Sequence, residues 1–81
     1  MAKIVISNNI RKLRFYHNEM TQQELAKKTG VTRQTIVAIE NGKYYPTLEL
    51  AFRITDVFET RLEEVFAYEI MKEQSKKEEE I

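Results

Sequence analysis

The chain contains no cysteine, one proline, two glycines and one histidine among its 81 residues. Without cysteine there is no disulfide frame and no thiolate metal site, which fits a reducing compartment. With so little proline and glycine, long ordered loops are not expected. A single histidine, no glycine-rich phosphate loop and no paired carboxylates within a pocket motif argue against an enzyme. Nothing suggests a cofactor, and no residues have metal-ligand spacing. Glu63–Glu64 and Glu78–Glu80 read as solvated charges and His17 as a surface residue in a linker. The opening MAKIVIS has one lysine and an apolar run far too short for a signal peptide or membrane span. A cytoplasmic protein with no membrane partner is expected.

Net charge is also lacking, since 13 Lys and Arg balance 13 Asp and Glu. The balance hides an asymmetry. Residues 1–47 hold eight Lys/Arg against three Asp/Glu, and residues 48–81 hold five against ten. Such a split suits a polyanion on the basic half, with the acidic half turned away. The length allows one small domain, whose core is marginal without close helix packing or a partner subunit.

From Asn8 onward the apolar residues recur with helical period. Ile10, Leu13 and either Phe15 or Tyr16 give a first helix its apolar side, with Asn8 or Ser7 as cap. Thr21 followed by Glu24 is a capping box for a second helix. Its inward residues are Leu25 and Ala26, and Gly30 ends it. A third helix starts at the capping residue Thr32, turns Ile36 and Ile39 inward, and stops at Asn41–Gly42. Pro46 and Thr47 open a fourth, with Leu48, Leu50, Ala51, Ile54, Val57 and Phe58 as its broad apolar face. Thr60 and Glu63 form a second capping box, for a short fifth helix carrying Leu62, Val65 and Phe66.

Two stretches break the pattern. Lys3–Ser7 (KIVIS) has β-branched residues in a row, and Val65–Ile70 (VFAYEI) could be its partner. The expected fold is therefore all-α, a compact bundle of five helices, with scope for a small two-stranded antiparallel sheet joining the N- and C-terminal segments. Residues 1–68 form the domain, with residues 21–42 at its centre, and residues 69–81 form a charged C-terminal tail.

The spacing from Gln22 to Ile39 carries the most information. Ala26 is small where a partner helix comes close, Gly30 permits a sharp turn, and Ile36 and Ile39 grip the second helix from the third. These are the requirements of a helix-turn-helix. With Ile36 and Ile39 inward, residues 33, 34, 37, 38 and 41 form an outward ridge. Such a helix fits the DNA major groove. Arg33 can bond guanine and Gln34 adenine in bidentate fashion, while Val37 and Ala38 offer apolar contact to thymine methyls. Gln22 and Thr32, at helix starts, are candidates for phosphate. Asn41, Lys43, Tyr44 and Tyr45 follow the ridge and can reach the flanking backbone. For each tyrosine, packing beneath the loop is an equal alternative.

The segment Met20–Phe66, in particular TRQTI.AIE.GKY.P.L.LA..I...F...LEEVF, resembles the Cro/CI or Xre-type helix-turn-helix regulators, in their short single-domain subgroup. The resemblance implies a five-helix domain of a prokaryotic regulator that binds operator DNA as a homodimer, with no small-molecule effector indicated. It matches Gln22 to a phosphate-clamping glutamine and Arg33, Gln34, Val37 and Ala38 to base-reading positions. It matches Arg14 and Glu40 to an ion pair between the first helix and the recognition helix. One departure is that the linker FYHNE before Met20 is a residue longer than in many members.

Val57, Phe58, Leu62, Val65 and Phe66 exceed what so small a domain can hide and suggest a dimer interface. The expected function is sequence-specific binding of double-stranded DNA by a transcriptional regulator, with repression the commoner outcome. The alternative is an antitoxin or other protein-binding module that also binds its own promoter.

Overall fold

A computed structural model describes residues 2–71. The order is β1 (Lys3–Asn8), α1 (Ile10–Tyr16), α2 (Gln22–Thr29), α3 (Arg33–Glu40), α4 (Leu48–Val57), α5 (Leu62–Val65) and β2 (Phe66–Met71). Five helices surround one core and the two strands pair antiparallel, so the first strand closes on the last.

Helix boundaries follow local chemistry. The Thr21 side chain accepts from the Glu24 N–H at 3.0 Å, and the Glu24 carboxylate accepts from the Thr21 N–H at 2.8 Å, completing the capping box of α2. Gly30, at φ 79°, ends α2, and the N–H groups of Gly30 and Val31 both donate to the Ala26 carbonyl. Thr32 caps α3 and Thr47 caps α4 through their hydroxyls. At the end of α3 the chain passes through Gly42 at φ 74°, with Gly42 N–H donating to Ile39 and Lys43 N–H to Ala38. This is a Schellman closure. α4 ends the same way, with Glu59 at φ 53°, but a glutamate occupies the left-handed position.

That closure explains one difference from the expectation. Thr60 donates its N–H to the Thr55 carbonyl as part of the end of α4. It does not cap α5, whose N-cap is Arg61, without a side-chain cap. At α1 the cap position is Asn9, yet the Asn8 side chain accepts from the Ile10 N–H at 3.1 Å. The Asn8 amide also donates to the Ile39 carbonyl at 3.0 Å and so fastens β1 to the end of α3. Asn9 donates its N–H to the Val65 carbonyl, fastening α1 to α5.

The core joins Ile10, Leu25, Ala26, Ile36, Ile39, Leu50, Ile54, Phe58 and Val65. Full burial of each larger aliphatic stabilises the fold by about 1.5–3 kcal/mol. Several assignments change. Phe15 and Tyr16 are both exposed, their rings edge to face at 5.6 Å, so α1 buries Ile10 and half-buries Leu13 instead. Leu48 points outward, and α4 buries Leu50, Ala51 and Ile54. His17 is half-buried with its ring 5.1 Å from that of Phe58. Its Nδ1 lies 2.9 Å from the Leu13 carbonyl, and because a carbonyl only accepts, that nitrogen carries the proton.

Phe58 and Val65 are 2% and 0% exposed within one chain. They cannot form a dimer surface, because the helix ends carrying them turn into the core. Val57 and Phe66 pack partly against that core. Part of the exposed apolar surface lies on the ribbon. Cross-strand pairing puts Ile4 with Ile70, Ile6 with Tyr68 and Asn8 with Phe66 on one face. Ile4, Tyr68 and Ile70 are 56%, 67% and 53% exposed there. β2 continues past residue 68 to Met71, and the rest of the charged tail, with Glu78–Glu80, lies outside the described residues. Among the described residues no helix is long and apolar enough to cross a membrane.

Candidate nucleic-acid interface

α3 has only eight residues, and its inner face is fixed at two points. Ile36 is fully buried and Ile39 nearly so, both within the core cluster. An α-helix turns about 100° per residue, so the buried pair sets the direction of every other side chain. Arg33 and Gln34 project into solvent on the first turn, Val37 and Ala38 lie half-buried on the second, and Asn41 is exposed just beyond. The ridge is cationic and amide-bearing on its first turn and small and apolar on its second.

The helix start is stiffened by Thr32, whose hydroxyl accepts from the Thr35 N–H at 3.2 Å and lies 3.0 Å from the Thr35 hydroxyl. Its end is stiffened by Glu40, which is 7% exposed and receives three donors. Arg14 donates through Nε to Oε2 at 2.7 Å and through Nη2 to Oε1 at 3.0 Å, a bidentate pair. Gln22 adds its amide to Oε1 at 3.2 Å. Arg14 also donates through Nη1 to the Met20 carbonyl at 2.9 Å. The Arg14–Glu40 pair therefore ties α1, the turn before α2, the first residue of α2 and the last residue of α3. In the linker before Met20, Asn18 and Glu19 take left-handed conformations at φ 59° and 53°.

Three sequence-derived candidates share one cleft of about 570 Å³: Gln22, Arg33 and Asn41 line it, with the Arg14–Glu40 pair. Arg11 and Gln23 line it too, and sequence reasoning passed over both. The signal was present, since Arg11 stands three residues before Arg14 and so on a neighbouring helical face. Lys43 is exposed, its backbone fixed by the closure of α3. Tyr45, itself 50% exposed, lines an apolar groove of about 300 Å³ with Pro46, Leu48, Leu62 and Phe66. Tyr44 is exposed.

Residues 10–65, more than two thirds of the chain, match the HTH_3 helix-turn-helix family. The chain belongs to this family. It is a helix-turn-helix DNA-binding domain. It is 52% identical over 64 residues to an uncharacterized HTH-type transcriptional regulator of Methanocaldococcus jannaschii, MJ0272, covering 79% of this chain and 96% of that one. An uncharacterized HTH-type transcriptional regulator of Archaeoglobus fulgidus is 56% identical over 50 residues, 62% of this chain and 71% of its own. YgzD of Bacillus subtilis, named likewise, is 41% identical over 61 residues, 75% of this chain and 91% of its own. Within the helix-turn-helix, α2 is the first helix and α3 the second.

Proposed function

We propose that this chain is a transcriptional regulator that inserts α3 into the major groove of a near-palindromic operator, binds there as a homodimer, and represses by occupying promoter DNA. The observation that carries the reading is the ridge of Arg33, Gln34, Val37 and Ala38, projecting from a helix whose other side is locked by Ile36 and Ile39. Arg33 and Gln34 are the hydrogen-bonding base readers, and Val37 and Ala38 are the thymine-methyl contacts. Gln22, Thr32, Asn41, Lys43 and Tyr44 hold the flanking phosphates. Tyr45 is left out of that set because it lines the apolar groove.

One recognition helix reads only half a site, and two on a twofold axis sit about 34 Å apart. The dimer seam takes the exposed ribbon face of Ile4, Tyr68 and Ile70 together with half-buried Leu62 and Phe66. Selection from random duplex DNA tests the whole reading. An enriched palindrome with half-sites one turn apart is the expected result. Uniformly weak capture of every sequence would show that α3 is not a reader.

A further inference from the structure

We propose that the basic, aromatic face of α1 is the docking site of this chain's own acidic segment, Glu78–Glu80, folded back along the ribbon from the end of β2. The segment lies outside the described residues; the face that it fits lies within them.

α1 leaves two large rings in water. Phe15 and Tyr16 are 63% and 66% exposed and meet edge to face. Beside them is a depression of about 400 Å³, lined by Asn8, Asn9, Arg11, Lys12 and both rings. Its asparagine side chains are already engaged, Asn8 with the Ile10 N–H and the Ile39 carbonyl, and Asn9 with the Glu64 carbonyl. The charged groups on offer are therefore Arg11 and Lys12, and no carboxylate lines the depression. Among the described residues neither cation makes an ion pair. Two cations beside exposed rings suit a segment that carries carboxylates and an aliphatic side chain together. Residues 78–81 read EEEI.

The reach also fits. β2 ends at Met71 opposite Lys3, and the depression begins at Asn8, five residues along β1. At about 3.3 Å per residue that return is about 17 Å. Glu78 stands seven residues beyond Met71, an extended reach of about 23 Å. Residues 72–77 can thus span the ribbon and deliver the three glutamates to its root. Arg11 lines the cleft beside α3 as well. A docked carboxylate cluster therefore stands next to the candidate interface and weakens its attraction for any polyanion. That consequence rests on the DNA-binding reading above, whereas the docking does not.

The chain has no cysteine, so Ser75→Cys gives a single attachment point for a nitroxide. Magnetic resonance of the full, isotope-labelled chain then reads amide broadening residue by residue. Broadening from Arg11 to Tyr16 is expected at low salt. It should fall severalfold in Glu78→Gln with Glu79→Gln and Glu80→Gln, and in Arg11→Gln with Lys12→Gln. It should persist in Lys27→Gln with Lys28→Gln, at the exposed end of α2. Broadening absent from α1, or insensitive to the first two sets of changes, would overturn the docking. So would broadening at α1 when the nitroxide and the isotope are on different chains, which would put the segment on a second copy. Phe15→Ser with Tyr16→Ser changes no charge, yet by releasing the segment it should tighten random-sequence duplex about two- to fivefold at low salt. An unchanged affinity would overturn the shielding. Failure of the unmodified chain to bind any duplex would overturn the DNA-binding reading and the shielding together, while the broadening decides the docking on its own.

Discussion

Gln22, the first residue of α2, donates its side-chain amide across 3.2 Å to Glu40, the last residue of α3. The same carboxylate is held by Arg14 from α1. The start of α2 and the end of α3 are thus referenced to one buried charge. Their relative position is set before DNA arrives, and less ordering is left to binding.

Removing that charge should be costly. Glu40→Ala leaves the guanidinium of Arg14 without its partner in a largely buried setting, and a loss of about 3–5 kcal/mol is expected in urea unfolding. Replacing both by apolar residues, Arg14→Met with Glu40→Leu, should cost much less, because no charge is stranded. If the double variant costs as much as the two single changes added together, the pair is not coupled.

Arg33→Ala should cost about 1–3 kcal/mol on the operator and relax one base position, read by comparing affinity across single-base variants. Lys43→Ala should weaken all sequences alike and flatten the salt slope by about one unit. Equal effects of the two on random DNA would dissolve the division between reading and clamping.

Glu59 sits left-handed at the closure of α4, where a side chain is strained by about 1–2 kcal/mol. Glu59→Gly should stabilise the fold by about 1 kcal/mol, raising the thermal midpoint. At the equivalent closure of α3, Gly42 already occupies the left-handed position, and no atom lies within 4 Å of where its Cβ would stand. Gly42→Ala should therefore destabilise through backbone strain alone. A midpoint unchanged by both substitutions would remove left-handed strain as the cause.

Tyr68→Glu combined with Ile70→Glu places two charges on the exposed ribbon face and should convert a dimer to a monomer in sedimentation at tens of micromolar. The same substitutions should leave the helical circular dichroism signal intact, since neither side chain enters the core. A dimer that persists would move the seam elsewhere.

The helix-turn-helix was legible because its signals are local and reinforce one another. Thr21 with Glu24, Gly30 and the inward pair Ile36 and Ile39 each specify one feature, and all specify the same geometry. Ambiguity arose where a signal was local but its use was tertiary. Thr60 and Glu63 spell a capping box, yet the Thr60 backbone is already engaged in closing α4. α1 is seven residues long, too short for periodicity to fix its phase, and Phe15 and Tyr16 face solvent. Phe58 and Val65 looked surplus because sequence cannot show that α4 and α5 both turn their ends into one core. Arg14 with Glu40 was identified through family resemblance. The Gln22 bond to the same carboxylate had no sequence signal, since it joins residues eighteen positions apart through the tertiary fold.

The ribbon pairs Lys3 with Met71, sixty-eight positions apart in sequence. Most helix neighbours are far closer along the chain, so loop-closure entropy falls chiefly on the strands. During synthesis β1 emerges before the five described helices and stays unpaired until β2 follows them. The Asn8 amide, which meets the Ile39 carbonyl at the end of α3, belongs to that waiting strand. The end of α3 is thus fastened to the strand whose own partner is the last element of the described residues.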